Sequence, residues 1–339
     1  MASAEARRLC PQAIWTHGHF DRYREVSAQV MAILADETPR VERVSIDEAF
    51  IDITPGRFAP EDPLLVARRI CDRVATLGVT CSIGVGCNKT VAKIASERDK
   101  PFGLTIVRPG TEQRFLAALP VSAMSGIGRS AEERLRRMRI YTLGELSRAP
   151  ESTLASIFGV NGERMRQRAL GLEISEVTSL DEEREVKSVS NERTFAKDLT
   201  ERGDIEAAIA LLGESVGRRL RRQGLTGATV TLKLKYSYGS GRTAQRRLPH
   251  PTDDENIFVA VALELLDNIW QEGMHVRLAG IGMSDFNHQG GIQTDLFCEV
   301  DDRGAQSSDR RDLSVAIDAV RDKFGDTALS FGRQSRFND

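Results

Sequence analysis

Two adjacent carboxylates, Asp47 and Glu48, interrupt an apolar run over residues 44–53 that is rich in β-branched side chains. Such a run predicts two strands joined by a tight turn. Because consecutive side chains of a strand point to opposite faces, only a turn brings both carboxylates to one site. Oxygen ligands without a nearby His or Cys favour Mg²⁺, with Mn²⁺ as the alternative. The run therefore predicts a divalent metal site, and the competing interpretation is an edge turn with two solvated acids.

Apolar periodicity predicts the elements that position this turn. Helices are expected over residues 19–35, 63–77 and 88–99, and strands over residues 80–86 and 104–107. Asn88 is placed to cap the third helix. Strands that alternate with helices over residues 19–108 indicate an α/β-type layer.

The remainder of the chain predicts a helical segment followed by a second mixed unit. Short helices separated by Gly-containing turns are expected over residues 110–172, and an acidic, apolar-poor linker follows. The second unit is predicted as strand, helix (204–222), two strands (228–238 and 242–248), helix (255–270) and strand (276–284), with a late amphipathic helix at 313–324. The fold class predicted for the whole chain is α+β and multidomain.

Composition limits the classes of function. The 339 residues suffice for two or three domains, and a net charge of −2 means that any nucleic-acid site is a local patch. Five Cys without a CxxC pair favour reduced thiols over a disulfide framework or a zinc site. No apolar run approaches the ~20 residues of a membrane span, and the N-terminus lacks a signal-peptide pattern. We therefore expect a cytoplasmic protein that does not enter a membrane.

Several motifs, in their order along the chain, resemble the Y-family DNA polymerases of the translesion type. They are Ser45-Ile46-Asp47-Glu48-Ala49-Phe50, Ser82-Ile83-Gly84-Val85-Gly86 running into the segment 88–96, Lys100-Pro101-Phe102-Gly103, Gly126-Ile127-Gly128, and Arg277-Leu278-Ala279-Gly280-Ile281. The resemblance extends from the N-terminus to about Phe286. It implies the following organisation: a remnant of the fingers (1–18), an incomplete palm (19–108), a helical thumb (109–178), a linker (179–187), an α+β little finger (188–286) and a tail (287–339).

The resemblance implies template-directed addition of deoxynucleotides to a primer by two-metal phosphoryl transfer. Asp47 and Glu48 would be the catalytic acids and would hold two Mg²⁺ ions, with Glu48 nearer the primer 3′-OH. Lys100 would bind the nucleoside triphosphate, and Lys93 would support the same anionic region. Asp52 is expected to be a structural acid. Taken alone, the two lysines also fit a solvated basic helix face.

DNA contacts are implied in two places. A helix-hairpin-helix turn in the thumb would grip a phosphate through Gly126, Gly128 and Arg129, because glycines allow close backbone approach. In the little finger, apolar residues at 230, 232, 234 and 236 alternate with polar ones, which predicts a sheet with one buried and one basic face. The expected DNA-binding residues of this sheet are Lys233, Lys235, Arg242 and Arg246. Competing interpretations are an ordinary Gly-rich helix connection and, for the basic cluster at 218–222, a solvated helix face.

The segment Gln293-Thr294-Asp295-Leu296-Phe297 resembles the peptide by which bacterial polymerases bind the sliding clamp. Leu296 and Phe297 would fill an apolar pocket, and Gln293 would fix the register. The implied partners are therefore primer-template DNA, deoxynucleoside triphosphates and the clamp, with the polymerase itself expected to be a monomer.

Part of the family pattern is not recognised in this sequence. Upstream of Asp47 we find neither the palm strand with a further metal-binding Asp and an aromatic steric gate nor the full fingers. We expect the chain as written to be nearly inactive in primer extension and to have unpaired strand edges in the palm. A misassigned start codon and a truncated gene both fit. The alternative functions are a non-catalytic DNA- and clamp-binding repair accessory protein and, more remotely, a nuclease that uses Asp47 and Glu48.

Overall fold

The computed structural model describes residues 3–56, 61–179, 182, 185–286, 303–325 and 328–329, with the side chains of 303–312 excepted. The chain folds into two compact units, residues 1–183 and 184–339. Within the described ranges, no helix is long and apolar enough to cross a membrane.

The described residues of the first part of unit one form four helices and four short strands. They are α1 (Ser3–Leu9), α2 (Phe20–Glu37), β1 (Val41–Arg43), β2 (Ala49–Ile51), α3 (Pro63–Ala75), β3 (Ile83–Val85), α4 (Lys89–Arg98) and β4 (Leu104–Ile106). β1 and β2 pair antiparallel, and β3 and β4 pair parallel, so the described strands form two separate sheets. The helices predicted here are confirmed, and the strands are shorter than predicted.

Helices α2 and α3 bury one apolar side each against these strands. Val66, Ile70 and Val74 of α3 are buried beside Ile33 of α2, with Ile51 and other strand residues packed on them. The start of α3 has the expected chemistry: Asp62 accepts a hydrogen bond from Leu64 N at 2.8 Å, and proline is the first helical residue.

The second part of unit one is helical, as predicted. Its helices are α5 (Glu112–Ala117), α6 (Arg129–Arg137), α7 (Leu143–Arg148), α8 (Glu151–Phe158) and α9 (Gly162–Leu170). Their buried side chains form one core together with Val91 and Ile94 of α4. Helix α4 therefore belongs to the packing of both parts of unit one.

Unit two is an antiparallel sheet with helices on one face, which confirms the α+β prediction. Its elements are β5 (Ser188–Leu199), α10 (Arg202–Arg222), β6 (Gly227–Tyr236), β7 (Gly241–Thr252), α11 (Glu255–Ile269), β8 (Val276–Phe286) and α12 (Arg303–Phe324). The strand order is β5-β8-β6-β7. Val230, Leu232 and Leu234 are fully buried in the core that α10 and α11 complete. Helix α12 begins ten residues earlier than predicted.

The basic cluster at the end of α10 is paired with α12. Arg221 Nε donates to Asp318 at 2.7 Å, and Arg218 Nη2 donates to Asp322 at 2.7 Å. Arg321 of α12 pairs with Glu214 of α10, where burial raises the pKa of the Glu214 carboxyl. The interpretation as a solvated face is therefore wrong for Arg218 and Arg221, which are largely buried in these pairs, and a contribution of the cluster to DNA binding stays a prediction.

Candidate active site and nucleic-acid contacts

The two carboxylates lie in the turn between β1 and β2, as predicted. Val44 N and Ser45 N both donate to Glu48 O, at 2.9 and 3.1 Å, which closes the turn. Ser45 Oγ donates to Asp47 Oδ1 at 2.5 Å and accepts from Asp47 N at 3.2 Å. Asp52 lies beyond this turn and accepts from Thr54 N at 3.0 Å, which agrees with the structural role expected for it.

The turn and helix α4 face one cleft. The cleft has a volume of about 1430 Å³, and its lining includes Asp47, Glu48, Lys93 and Lys100. Such a volume is larger than the ~300–1,000 Å³ of ordinary small-molecule pockets. All four residues expected to act on metal and triphosphate therefore line the same space.

Alternating charges connect these residues. Lys93 Nζ contacts Glu48 and lies 3.0 Å from Glu97 Oε1, and Lys100 Nζ lies 2.7 Å from the same Glu97 oxygen. Burial acts to lower the pKa of Lys93, but its hydrogen bonds to Glu48 and Glu97 outweigh burial, so this pKa is raised. The ammonium groups of Lys100 and Lys93 lower the pKa of Glu97. Both lysines therefore carry a carboxylate partner.

The donor set fits Mg²⁺. This ion is bound through one or two carboxylates, with waters and substrate phosphates completing the shell. Asp47 and Glu48 supply two carboxylates on one turn. No group of three or more His, Cys, Asp or Glu that could hold a metal occurs among the described residues. Water and substrate phosphate oxygens are suitable as the remaining ligands.

A close approach of α4 to β3 sets the position of Lys93. A Cβ atom built on Gly84 would lie 2.0 Å from Ala92 O and 2.3 Å from Ser96 N. Only glycine allows the strand to lie this close to the helix backbone. The side chain of Asn88 caps the helix by accepting from Val91 N at 3.0 Å, as predicted.

The predicted phosphate-binding turn contains a backbone conformation that favours glycine. Gly126 has a φ of +95°, a conformation that L side chains rarely adopt. Gly128 is the N-cap of α6, and a Cβ atom there would meet nothing within 4 Å. Arg129 begins α6 with its side chain exposed and lies 3.0 Å from Glu133. Ile127 between the glycines is buried in the helical core, which anchors the turn.

The sheet of unit two has the predicted alternation on β6. Thr231, Lys233 and Lys235 lie on the face opposite the helices. Lys233 Nζ donates to Glu192 Oε1 at 2.7 Å across the intervening strand, where a Cβ atom on Gly280 would lie 2.6 Å from the Glu192 side chain. Lys233 is therefore paired on this open face, and Lys235 is exposed there.

Strand β7 does not extend the basic face as predicted. Arg242 pairs with Leu234 and Arg246 with Val230, and directly opposed residues share a face. Both arginines therefore lie on the helix-covered side of the sheet, where Arg246 contacts Glu264 of α11. The expectation that they share the face of Lys233 and Lys235 is wrong, because the register of an edge strand is not visible in its own sequence.

Two further parts of the prediction concern the tail and the cysteines. Gln293, Leu296 and Phe297 lie outside the described residues. Cys10, Cys71, Cys81 and Cys87 are free thiols, as expected for reduced cysteines. Burial raises the pKa of the Cys81 thiol to about 12, and the neighbouring Cys71 makes a smaller contribution in the same direction.

Sequence reasoning missed two charged residues of these sites. Glu97 lies four residues after Lys93 and three before Lys100, and this helical spacing was a signal that could have identified it. Glu192 gave no comparable signal, because its contact with Lys233 depends on strand order.

Comparison with known proteins identifies the family. Residues 1–97 match the model of the impB/mucB/samB family, and residues 186–296 match the model of its C-terminal domain. A protein named DNA polymerase IV from Lactococcus lactis subsp. cremoris (strain MG1363) is 36% identical over 291 residues, covering 85% of this chain and 79% of the relative. DNA polymerase IV of Moorella thermoacetica (strain ATCC 39073 / JCM 9320) is 36% identical over 332 residues, covering 97% of this chain and 80% of the relative.

A solved structure gives the same fold. A Y-family DNA polymerase chimera of Dbh and Dpo4 matches with a TM-score of 0.71 at 23% identity, covering 84% of this chain and 82% of the chimera. The fold and the relatives together define a nucleotidyltransferase class, the DNA-directed DNA polymerases. The chain belongs to the Y family of these enzymes, which confirms the family predicted from its motifs.

Proposed function

We propose that this chain acts as a translesion-type DNA-directed DNA polymerase that uses Asp47 and Glu48 in a two-metal site. The contact of Glu48 with Lys93, inside a cleft that Asp47 and Lys100 also line, carries the proposal. A carboxylate pair beside two lysines suits a triphosphate with its metal ions, because each charge of the substrate meets a partner of opposite sign.

Each residue has a distinct task in this proposal. When bound, Mg²⁺ or Mn²⁺ would activate the primer 3′-hydroxyl and stabilise the leaving pyrophosphate. Asp47, oriented by Ser45, and Glu48 would hold these ions. Lys93 and Lys100 would neutralise and orient the triphosphate as point charges. In the resting site Lys93 contacts Glu48, so binding of the metal nucleotide would transfer Lys93 from the carboxylate to phosphate.

DNA would be held through its backbone at both units. The Gly126–Gly128 turn with Arg129 would contact phosphate in unit one, and Lys235, with Lys233 beside it, would do so in unit two. Arg242 and Arg246 could reach DNA only around the edge strand β7.

Metal binding and primer extension test the active site. Mn²⁺ affinity, measured by electron paramagnetic resonance, should fall at least tenfold in Asp47→Asn and Glu48→Gln, because each variant removes one charged ligand. Asp52→Asn is the matched control, since the Asp52 carboxylate accepts its hydrogen bonds from neighbouring Thr54, and the Mn²⁺ affinity of this variant should stay unchanged. If all three variants bound Mn²⁺ as tightly as the wild type, the proposal of a metal site at Asp47 and Glu48 would be excluded.

The level of extension is a separate proposal. One or two carboxylates suit a single Mg²⁺ ion, whereas two ions would have to share Asp47 and Glu48, so we propose that the 339 residues are nearly inactive in primer extension. Robust nucleotide addition with Mg²⁺ would refute that near-inactivity and support the polymerase assignment. No extension, together with DNA binding that survives loss of both Asp47 and Glu48, would favour the alternative of a DNA-repair accessory protein.

The clamp is proposed as a partner through Gln293, Leu296 and Phe297. Replacing Leu296 and Phe297 by Ala should weaken binding to a bacterial sliding clamp at least tenfold and leave DNA affinity intact, because apolar anchors dominate such contacts. Unchanged clamp affinity in this double variant would exclude the proposed peptide. A monomer in solution is expected and can be measured by light scattering.

A further inference from the structure

Arg168, near the end of α9, joins three segments of unit one through one guanidinium group. Its side chain is 14% exposed. Nε donates to Thr90 Oγ1 at 2.8 Å, Nη1 donates to Ser125 O at 2.8 Å, and Nη2 donates to Ser125 Oγ at 2.9 Å. Glu173 lies 3.7 Å away as the compensating charge.

The two partners of Arg168 lie at both functional regions of unit one. Thr90 is in the first turn of α4, three residues before Lys93. Ser125 immediately precedes Gly126, the first residue of the proposed phosphate-binding turn, and a Cβ atom on Gly126 would lie 3.5 Å from Arg168 Nη1. One planar side chain thus touches both the helix that carries a nucleotide-site lysine and the turn that would grip duplex DNA.

A second set of contacts reinforces the link to α4. Asn88 Nδ2 donates to Gly171 O at 2.7 Å, and Thr90 Oγ1 lies 2.5 Å from Glu173 Oε2. The start of α4 is therefore fixed by residues directly after α9. Arg168 adds the connection onward to Ser125, and its rigid fork matches two separated acceptors in a way that lysine cannot.

The charge of Arg168 is an unusual choice for simple packing. Burial lowers its pKa, and the Glu173 carboxylate offsets only part of this effect. Removing a charge from water costs several kcal/mol by general estimates, so an apolar residue would often be the more stabilising choice. Burying a charge is warranted where its directional hydrogen bonds fix one geometry.

We propose that Arg168 is a positioning residue that holds the phosphate-binding turn in register with the nucleotide-binding helix. The inference rests on the proposed polymerase function. Its consequence is that duplex gripped at Gly126–Gly128 arrives at a fixed distance from Lys93 and the acids that Lys93 contacts. In this proposal, Arg168 itself would touch neither DNA nor nucleotide.

The test compares Arg168→Met with Arg166→Met. Arg166 lies on the same helix with its side chain 23% exposed, and it bonds Ala149 O and Glu163 rather than α4 or the turn. Both variants lose one charge. Affinity for a fluorescent primer-template should fall about 5- to 10-fold in Arg168→Met and less than twofold in Arg166→Met, both measured well below their unfolding temperatures.

The salt dependence of DNA affinity separates positioning from stability. Loss of one phosphate contact reduces the slope of log affinity against log salt by about one. We expect this reduction in Arg168→Met, because the turn at Gly126–Gly128 would lose its position and its phosphate contact. We do not expect it in Arg166→Met. A lowered unfolding temperature with unchanged affinity and slope would mean that Arg168 is merely structural, and the inference would be overturned.

Two further measurements keep the inference falsifiable. If Arg168→Met does not fold, Arg168→Lys serves instead: lysine keeps the charge but cannot donate to Thr90 and Ser125 together, so the same losses are expected. Full affinity in Arg168→Lys would overturn the positioning role. A wild-type chain without affinity for primer-template would instead refute the proposed function itself, and the two failures are therefore distinguishable.

Discussion

At the scale of the residue, Glu97 is the least expected member of the active-site cleft. One of its oxygens accepts from both Lys93 and Lys100. In the structure, Glu97 holds the two lysines together. In the proposed function, this carboxylate oxygen would compete with a phosphate oxygen of the nucleotide for the two ammonium groups.

Replacing Glu97 by Gln should strengthen binding of a deoxynucleoside triphosphate with Mg²⁺ by about two- to fivefold, since exposed ion pairs contribute only about 0–1 kcal/mol each. Equilibrium titration with a fluorescent nucleotide measures this change. Glu163→Gln on α9, which removes a similarly exposed carboxylate from an Arg166 pair, is the control. Weaker nucleotide binding in Glu97→Gln would show that Glu97 orients the lysines without competing.

The pH dependence of this difference follows from the lowered pKa of Glu97. Its carboxylate keeps its charge below the pH at which an ordinary glutamate is protonated. The affinity difference between wild type and Glu97→Gln should therefore persist from neutral pH through the ordinary glutamate pKa and vanish only in stronger acid. A difference that disappears already near pH 6 would contradict the pairing.

At the scale of the element, the contact of β3 with α4 controls the position of Lys93. Gly84→Ala forces a methyl group against Ala92 O and Ser96 N, and backbone atoms cannot rotate away. We expect a loss of about 1–3 kcal/mol or more in unfolding free energy, the cost of overpacking. Urea unfolding measures it.

Gly128→Ala is the matched control for Gly84→Ala. Its Cβ would meet nothing within 4 Å, and its φ of −84° is ordinary for alanine. The unfolding free energy of Gly128→Ala should fall by about 1 kcal/mol or less, because glycine is preferred over alanine at a helix N-cap but no atom is displaced. Similar stability of the two variants would mean that the helix can shift away from the strand at little cost.

The packing of α2 on α3 includes a charged contact that acid should break. Glu37 is 6% exposed, and Arg69 Nη2 lies 2.6 Å from its carboxylate, with Arg73 Nη1 at 3.2 Å. The hydrogen bond from Arg69, more than the opposing effect of burial, lowers the pKa of Glu37. Its contribution to stability is therefore complete above its ordinary pKa of 4.5 and is lost as the pH falls through the lower folded value.

We expect Glu37→Gln to lower the unfolding free energy by about 1–3 kcal/mol at pH 7, the cost of losing a charged, buried acceptor. The difference from wild type should shrink below pH 4. Glu61→Gln, which removes the more exposed partner of Arg69, should change stability much less. Equal losses of unfolding free energy in the two variants, measured by urea unfolding, would show that the contacts of Arg69 with Glu37 and with Glu61 contribute equally to stability.

At the scale of the whole molecule, a net charge of −2 gives no overall attraction to DNA. Positive charge is instead local, and much of it is already paired, as in the arginines of α10 with α12 and Lys233 with Glu192. DNA affinity should therefore depend on a few exposed cations such as Lys235 and Arg129.

Lys235→Ala should weaken primer-template binding and reduce the slope of log affinity against log salt by about one. Lys233→Ala should have a smaller effect, because wild-type Lys233 is already shared with Glu192. Fluorescence anisotropy between 50 and 200 mM salt, a range in which phosphate contacts have large effects, measures both. A flat salt response of the wild type would count against phosphate contacts as the main source of affinity.

The sequence by itself determined the elements, the family and the acidic turn of this protein. Periodicity along a helix or strand and the chemistry of a turn are local, so Asp47, Glu48, Lys93 and Lys100 were visible without the fold. Partners were not: Glu192 meets Lys233 only because β8 lies between β5 and β6, with Gly280 leaving room. Arg242 and Arg246 lie on the opposite face from the one predicted for a similar reason, since the register of a strand is set by its pairing with a neighbour. The tertiary structure alone decided which charges stay available for a ligand, because pairing depends on distances between residues far apart in the chain.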